Sequence, residues 1–379
     1  NPASRSITTR PIEQEVGSKA ALARASQWLQ TCLHETIRGK RSHSSCFKPA
    51  DGYMPTRLIE VVVNDDQYEL KLRETKESPT EPYCALSYCW GGEQPIKTTR
   101  VTLEKHLNHL PWEHLPRTVQ DAAIVCNGLE MKYLWIDAFC IIQDDDADKA
   151  NEIFAMAHVY RNASVTIAAS RAASVQDGFL GERSATLSIN EVYEIAYRPK
   201  KSLILGSPLD TRGWTLQERL LSPRNLVFGS RQMRFVCQHN PRGITDGWRL
   251  WPEGNSVRQD TLENSAILRA ELGSVEPVSS GPELVKVLDS WDRLIQAYTH
   301  RSLSYPQDRI LAIAGIAQLY RRILGDKYFA GHWRSSLSRS LYWKAKDPSR
   351  PRPKARPGPS WSWISLGGPV EFPSLSSAE

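Results

Sequence analysis

The chain lacks any apolar run approaching the length of a membrane span, so a helical membrane anchor is not expected within its 379 residues. It also lacks a signal-peptide pattern, although it begins at Asn1 rather than a methionine, which leaves room for a removed leader. There is no C-x-x-C pair. The seven cysteines, at 32, 46, 84, 89, 126, 140 and 237, are odd in number and several lie in apolar runs. Reduced thiols, a cytoplasmic location and no metal centre are therefore expected. Nor is there a strong excess of one charge: 48 Lys and Arg against 42 Asp and Glu leave +6, with the two signs interleaved. That balance argues against a nucleic-acid partner. No internal repeat is present, and the length suits one elaborated domain or two.

What the chain does have is an almost continuously apolar stretch, Tyr133 to Ile142, ending in Gln143 and the acidic run Asp144, Asp145 and Asp146. Its aromatic and β-branched content predicts a strand covered on both faces inside a parallel sheet. Asp137 interrupts the run, where an unpaired carboxylate would be costly, so it needs a partner or a cleft. The acidic end falls at the carboxyl edge of the predicted sheet, where open α/β sheets bind ligands.

Around this stretch the pattern alternates. Helical spacing runs from Ser18 to Ile37, and Arg57–Val63 with Gln67–Leu72 reads as a hairpin. A strand over Tyr83–Tyr88 leads into Cys89-Trp-Gly-Gly92, a helix follows Leu115-Pro116 as far as Gly128, and another covers Ala147–Tyr160 before a strand at Ser164–Ala169. Strand, helix, strand, helix, strand implies a parallel sheet with right-handed crossovers. Farther on, strands are predicted near 191–197, 202–205, 225–228 and 234–237, and helices over 283–300, 308–324 and 333–344. The segment 241–282 is rich in turn formers, Lys344–Pro359 reads as a proline-rich basic linker, and Trp361 and Trp363 as one face of a buried strand.

Several blocks resemble a known family. Tyr83-Cys-Ala-Leu-Ser-Tyr-Cys-Trp-Gly91, Leu115-Pro-Arg-Thr-Val-Gln-Asp-Ala122, Tyr133-Leu-Trp-Ile-Asp-Ala-Phe-Cys-Ile-Ile-Gln-Asp144 and Met156-Ala-His-Val-Tyr-Arg-Asn-Ala163 are similar to the successive blocks of the fungal heterokaryon incompatibility (HET) domain. Arg212-Gly-Trp-Thr-Leu-Gln-Glu-Arg219, Asp308-Arg-Ile-Leu-Ala-Ile-Ala-Gly315, Tyr328-Phe-Ala-Gly-His-Trp333 and Pro359-Ser-Trp-Ser-Trp363 resemble blocks that follow it. The resemblance implies a protein of filamentous fungi, in a class that triggers cell death when incompatible hyphae fuse. It also implies a flavodoxin-like, TIR-like sheet, and some TIR domains cleave NAD with a glutamate on a helix. The expected fold is thus an α/β, flavodoxin-like/TIR-like parallel sheet core over 80–185, preceded by a helix and hairpin (1–79) and followed by a large α+β elaboration (186–379). Where the family often carries a tryptophan after the acidic run, this chain has Lys149.

On that analogy Glu152 is the catalytic candidate, with NAD as a substrate rather than a resident cofactor. Ser87, Tyr88, Trp90, Gly91 and Gly92 would shape the nucleotide slot, and Gln143 and Asp144 would line its acidic side; the alternative is a solvated Glu152. Asp137 and the aspartates could hold Mg²⁺ through oxygen ligands, but a charge run at a helix start is more simply a cap. Cys140 and His158 could pair as nucleophile and base, with Asp137 or Asp144 orienting the imidazole. On a strand, however, residues 137 and 140 face opposite sides, which favours a structural thiol. Arg212, Trp214, Gln217, Glu218 and Arg219 form a second polar cluster that could clamp a phosphate or base, or could pair with Asp137. The partner expected is a small molecule or nucleotide, with homo-oligomerisation and no membrane. The competing readings are a non-enzymatic self-associating signalling module and a small-molecule enzyme of a fungal biosynthetic pathway.

Overall fold

The computed structural model describes residues 13–37, 40–41, 43–44, 46–47, 52–76, 78–183, 187–190, 193–195, 207–230, 232–241, 243–246, 277–278, 280–349, 353 and 357–373. The segment 1–12, the strand expected at 202–205 and most of the turn-rich 241–282 lie outside these residues. The chain divides into two compact units, one of residues 1–155, 159–209 and 222–253, the other of 156–158, 210–221 and 254–379.

The first unit begins with helix α1, Lys19–His34, whose N-cap Ser18 accepts from the Ala21 amide at 3.1 Å. Its buried face is Ala21, Leu22, Ala25, Leu29 and Cys32. The predicted hairpin follows as β1 (Arg57–Asn64) and β2 (Gln67–Glu74), closed by Asp65 and Asp66 with φ of 49° and 62°. Two positive-φ residues make the turn that matches the right-handed twist of a hairpin. Next come β3 (Tyr83–Ser87), α2 (Arg117–Gly128), β4 (Tyr133–Trp135), α3 (Asp146–Asn162), β5 (Val165–Ala168), β6 (Arg224–Phe228), β7 (Met233–Cys237) and β8 (Ile244–Thr245).

All eight strands join one sheet in the order β8-β7-β6-β5-β3-β4-β1-β2. The pairs β4 with β3, β3 with β5, and β5 with β6 are parallel; β1, β2, β7 and β8 pair antiparallel on the two sides. Counted along the chain, the parallel strands stand in the order 2-1-3-4, so the sheet reverses direction between β3 and β5. Every residue of β3 and β5 is buried, as expected for strands covered on both faces. Trp135 and Tyr160 meet edge-on at 5.6 Å, and Phe179 and Phe228 pack at 4.8 Å.

The structure corrects the central expectation. The apolar run is not one strand: β4 stops at Trp135, and Asp137–Cys140 forms a single helical turn. A continuous apolar run is compatible with any backbone that is buried all round, so strand and buried turn read alike. Asp137 and Cys140 therefore sit one helical turn apart, and the opposite-face argument does not apply.

In the second unit, helix α4 covers Trp214–Leu221, α5 Gly281–Thr299 and α6 Ala314–Leu324. The helix expected over 308–324 is broken into two 3₁₀ turns, Pro306–Arg309 and Leu311–Ile313, before α6 begins. Residues 333–344 are not one helix but a short strand, a 3₁₀ turn and the four-residue helix Leu337–Ser340. The core is aromatic: Trp291 meets Trp333 at 5.3 Å and Tyr320 at 5.0 Å, and Trp291 and Trp363 both donate to the Gly331 carbonyl. Gly331, with φ of 95°, would place a Cβ 2.4 Å from the Trp363 indole nitrogen, so only glycine fits. Trp363 lies in a 3₁₀ turn rather than a strand, and Trp361 is 46% exposed, so the two tryptophans do not share a buried face. In the basic segment, Lys344–Ala345 pairs with Val370–Glu371. Among the described residues no helix is long and apolar enough to cross a membrane.

Candidate functional site

The carboxyl ends of β3 and β4 are joined by one side chain. Ile136 is extended, and the backbone then turns so that the Asp137 carboxylate points back across the edge of the sheet. Its Oδ1 accepts from the Tyr88 hydroxyl at 2.9 Å and the Ala138 amide at 2.7 Å, and its Oδ2 accepts from the Trp90 indole at 2.9 Å. Both oxygens are thus occupied by protein donors, which satisfies the burial argument made for this aspartate and fixes the Tyr88–Trp90 tip against the turn.

The acidic end is also held. Gln143 donates to the carbonyls of Asp137 at 3.0 Å and Ile141 at 3.3 Å, and its amide bonds Thr98. Asp144 accepts from the Arg100 amide at 2.8 Å, and Asp145 pairs with the Arg100 guanidinium at 3.1 Å while capping α3 through the amides of Ala147 and Asp148. Bonds from the Asp148 amide and from Arg100 hold the Asp145 carboxyl below the usual range, as a cap should. Among the described residues these carboxylates do not converge as a metal-binding group.

Beside them lies a charge cluster that the sequence did not single out. Arg57 opens β1, which runs antiparallel to β4 with Ile59 opposite Leu134, so it lies level with Ile136 at the carboxyl edge of the parallel strands. Its Nη2 forks onto Asp148 at 2.5 and 2.6 Å, its Nε donates to the Cys140 carbonyl at 2.8 Å, and Glu152 Oε1 lies 3.8 Å away. Glu152 is 3% exposed, and its Oε2 has no hydrogen-bond partner. Burial raises its pKa, against the opposing pull of Thr56 and Arg57, and Asp148 adds to the rise. The available signal was Arg57 itself, a fixed cation in front of an apolar strand.

The Cys140 thiol is fully buried and receives the Ile136 amide at 3.5 Å. Burial pushes it up to about 12, and the charges of Glu152 and Asp137 add to that rise. A thiol so protonated is a poor nucleophile, and His158 is exposed on α3. The structural reading of Cys140 is the better one.

Around the glycine turn, Ser87 is buried and its carbonyl accepts from Ala169. A Cβ on Gly91 (φ 70°) would lie 2.2 Å from Ser174 Cβ, so this glycine lets the tip pack on the 173–175 backbone rather than on a ligand. Gly92 differs: it has φ of 145° and open space beside it.

Arg212, Trp214, Gln217, Glu218 and Arg219 belong to the second unit. Trp214 donates to Asp308 at 3.2 Å, Gln217 accepts from the Gly315 amide at 2.8 Å, and Arg219 pairs with Asp210 at 3.0 Å. Arg301, lowered to about 10 by burial, bonds the Arg212 carbonyl, and Glu218 is buried. Arg219 meets Asp210, and Asp137 accepts from Tyr88 and Trp90.

Compared with known proteins, residues 83–218 match the family model described as Heterokaryon incompatibility protein (HET), which supports a heterokaryon incompatibility domain over this stretch. No curated protein and no solved structure matches the chain.

Proposed function

We propose that this is a cytoplasmic fungal protein of the incompatibility or cell-death class, whose HET region cleaves NAD at the carboxyl edge of the sheet. The parallel strand order 2-1-3-4 supports the flavodoxin-like, TIR-like reading, and open α/β sheets take ligands outside the carboxyl ends of their strands where the order reverses. The observation that carries the reading is Glu152: a carboxylate buried in α3 with one oxygen unpartnered, next to an arginine that Asp148 already neutralises more closely. Such a group is costly to maintain for stability alone. In the reaction, the bond between nicotinamide nitrogen and ribose C1′ breaks with its electron pair leaving on the nicotinamide. The Glu152 carboxylate stabilises the positive charge that develops on the ribose, and water adds to C1′ with loss of a proton. Trp90, half-buried beside the open side of Gly92, offers a ring face for a base.

The purified chain, as monomer and as a forced oligomer, is incubated with NAD⁺ and free nicotinamide is measured. Release is expected, with a loss of at least about 100-fold in a Glu152→Gln variant that remains folded. No release from either form sinks the reading. A second reading, a signalling module that works by self-association, draws on Phe154, which is 72% exposed on α3. It would be favoured if Glu152→Ala left cell killing intact while Phe154→Ser removed it.

A further inference from the structure

Four side chains from distant parts of the first unit converge away from the carboxylates. Cys32 lies in the last turn of α1, His43 and Cys46 follow it, and Cys237 ends β7. One ligand atom from each lies within 4.8 Å of every other. Cys32 Sγ is 3.6 Å from Cys46 Sγ, and Cys237 Sγ is 3.4 Å from His43 Nδ1. A tetrahedral centre with Zn–S of about 2.3 Å and Zn–N of about 2.0–2.1 Å has S···S edges of about 3.8 Å and S···N edges of about 3.5 Å. A disulfide would need about 2.05 Å between sulfurs.

The surroundings supply hydrogen-bond donors to sulfur. Each sulfur receives one N–H: Cys46 from the His239 amide at 3.3 Å, Cys237 from the Asn240 amide at 3.3 Å, and Cys32 from Arg224 Nε at 3.1 Å. The His43 ring stacks on His239 at 4.5 Å, which orients the imidazole. Arg224 is fully buried, and among the described residues no carboxylate pairs with it; its other partners are the carbonyls of Phe47 at 3.1 Å and Ser164 at 3.4 Å. A buried guanidinium requires an anion. Three thiolates, a neutral imidazole and a divalent ion carry a net charge of −1, which this arginine balances.

We propose that Cys32, His43, Cys46 and Cys237 bind one zinc ion in a closed structural site. Three soft sulfurs and one imidazole in tetrahedral arrangement select zinc over the oxygen-seeking divalent ions. Four protein ligands leave no position for substrate, so the ion acts as a clamp that fixes α1 and the segment after it to β7. The sequence leads to reduced thiols without a metal, and the proposed site departs from that reading in the metal alone. The signal in the sequence was the short His43-x-x-Cys46 spacing, with its remaining ligands too far along the chain to be recognised.

The full chain, purified under reducing conditions without chelator, is assayed for metal by mass spectrometry. About one zinc per chain is expected, and cobalt substitution should give the thiolate charge-transfer and tetrahedral d–d bands. Cys46→Ser and Cys237→Ser should each lower zinc below about a tenth of an equivalent, whereas Cys89→Ser, a buried thiol outside the cluster, should keep it. Cys237→His, which retains a ligand, should still bind cobalt, so a serine variant that fails to fold does not decide the matter. A folded wild-type chain holding less than about a tenth of an equivalent after incubation with zinc, or a Cys32–Cys46 disulfide in the isolated protein, overturns the proposal.

Discussion

Two buried arginines divide the sheet unit between them. Arg57 starts β1 at the carboxyl edge of the parallel strands, and Arg224 starts β6 at the opposite edge. Arg57 meets carboxylates: Asp148 in a fork, and Glu152 at 3.8 Å. Arg224 meets a thiol and two carbonyls, and in β-sheet register it stands opposite Cys237. A buried guanidinium needs an anionic or strongly polar partner, so each edge must supply one. The carboxyl edge has one carboxylate oxygen to spare. Among the described residues no carboxylate pairs with Arg224 at the amino edge, and on the zinc proposal its negative charge comes from sulfur. The difference separates chemistry from construction: the spare oxygen at one edge is available to a substrate, whereas the sulfurs at the other are turned on one another.

The largest expected break in this comparison is Arg57→Met. It strands Glu152 as a buried anion and removes the fork on Asp148, so denaturant unfolding should show a loss of roughly 3–5 kcal/mol. A loss under about 1 kcal/mol would mean that Glu152 is carried in its neutral form. At the other edge, Arg224→Gln removes a hydrogen bond to a metal ligand and should weaken zinc affinity by about 10- to 100-fold in a competitive chelator titration. The smallest effect concerns pH. The folded pKa of Glu152 is raised above its unfolded value of about 4.3, so the folded protein holds the proton more tightly and stability falls as pH rises through that window. Glu152→Gln should remove this fall: variant and wild type should nearly coincide at low pH and separate towards neutrality, with the variant the more stable. Parallel curves would show that Arg57 compensates the charge fully.

Much of the framework was legible because local signals and burial agree. The hairpin at Asp65–Asp66, the cap before α3 and the alternation of strands and helices over 83–168 all follow from short-range patterns. Where burial was complete, the pattern became ambiguous. Tyr133–Ile142 is apolar but for Asp137, and the short strand and the turn after it are both largely enclosed, so periodicity had nothing to report. An aspartate inside an apolar run signals a need for partners, and Tyr88 and Trp90 lie beside the glycine turn; that they bind Asp137 is a matter of three-dimensional proximity. Arg57 and the sulfur cluster escaped notice for the same reason. Their partners lie 91 and 194 residues away, beyond any spacing rule.

The strand order also has a consequence during synthesis. β5 is complete at Ala168, yet its partner β6 does not begin until Arg224, 56 residues later (224 − 168). At a ribosomal rate of roughly 5–20 residues per second, the strand β5, buried along its whole length in the folded protein, waits about 3–11 s for its neighbour. Through that interval the nascent sheet ends in an uncovered row of backbone donors and acceptors, the state in which a chaperone, or another copy emerging nearby, competes for the vacancy.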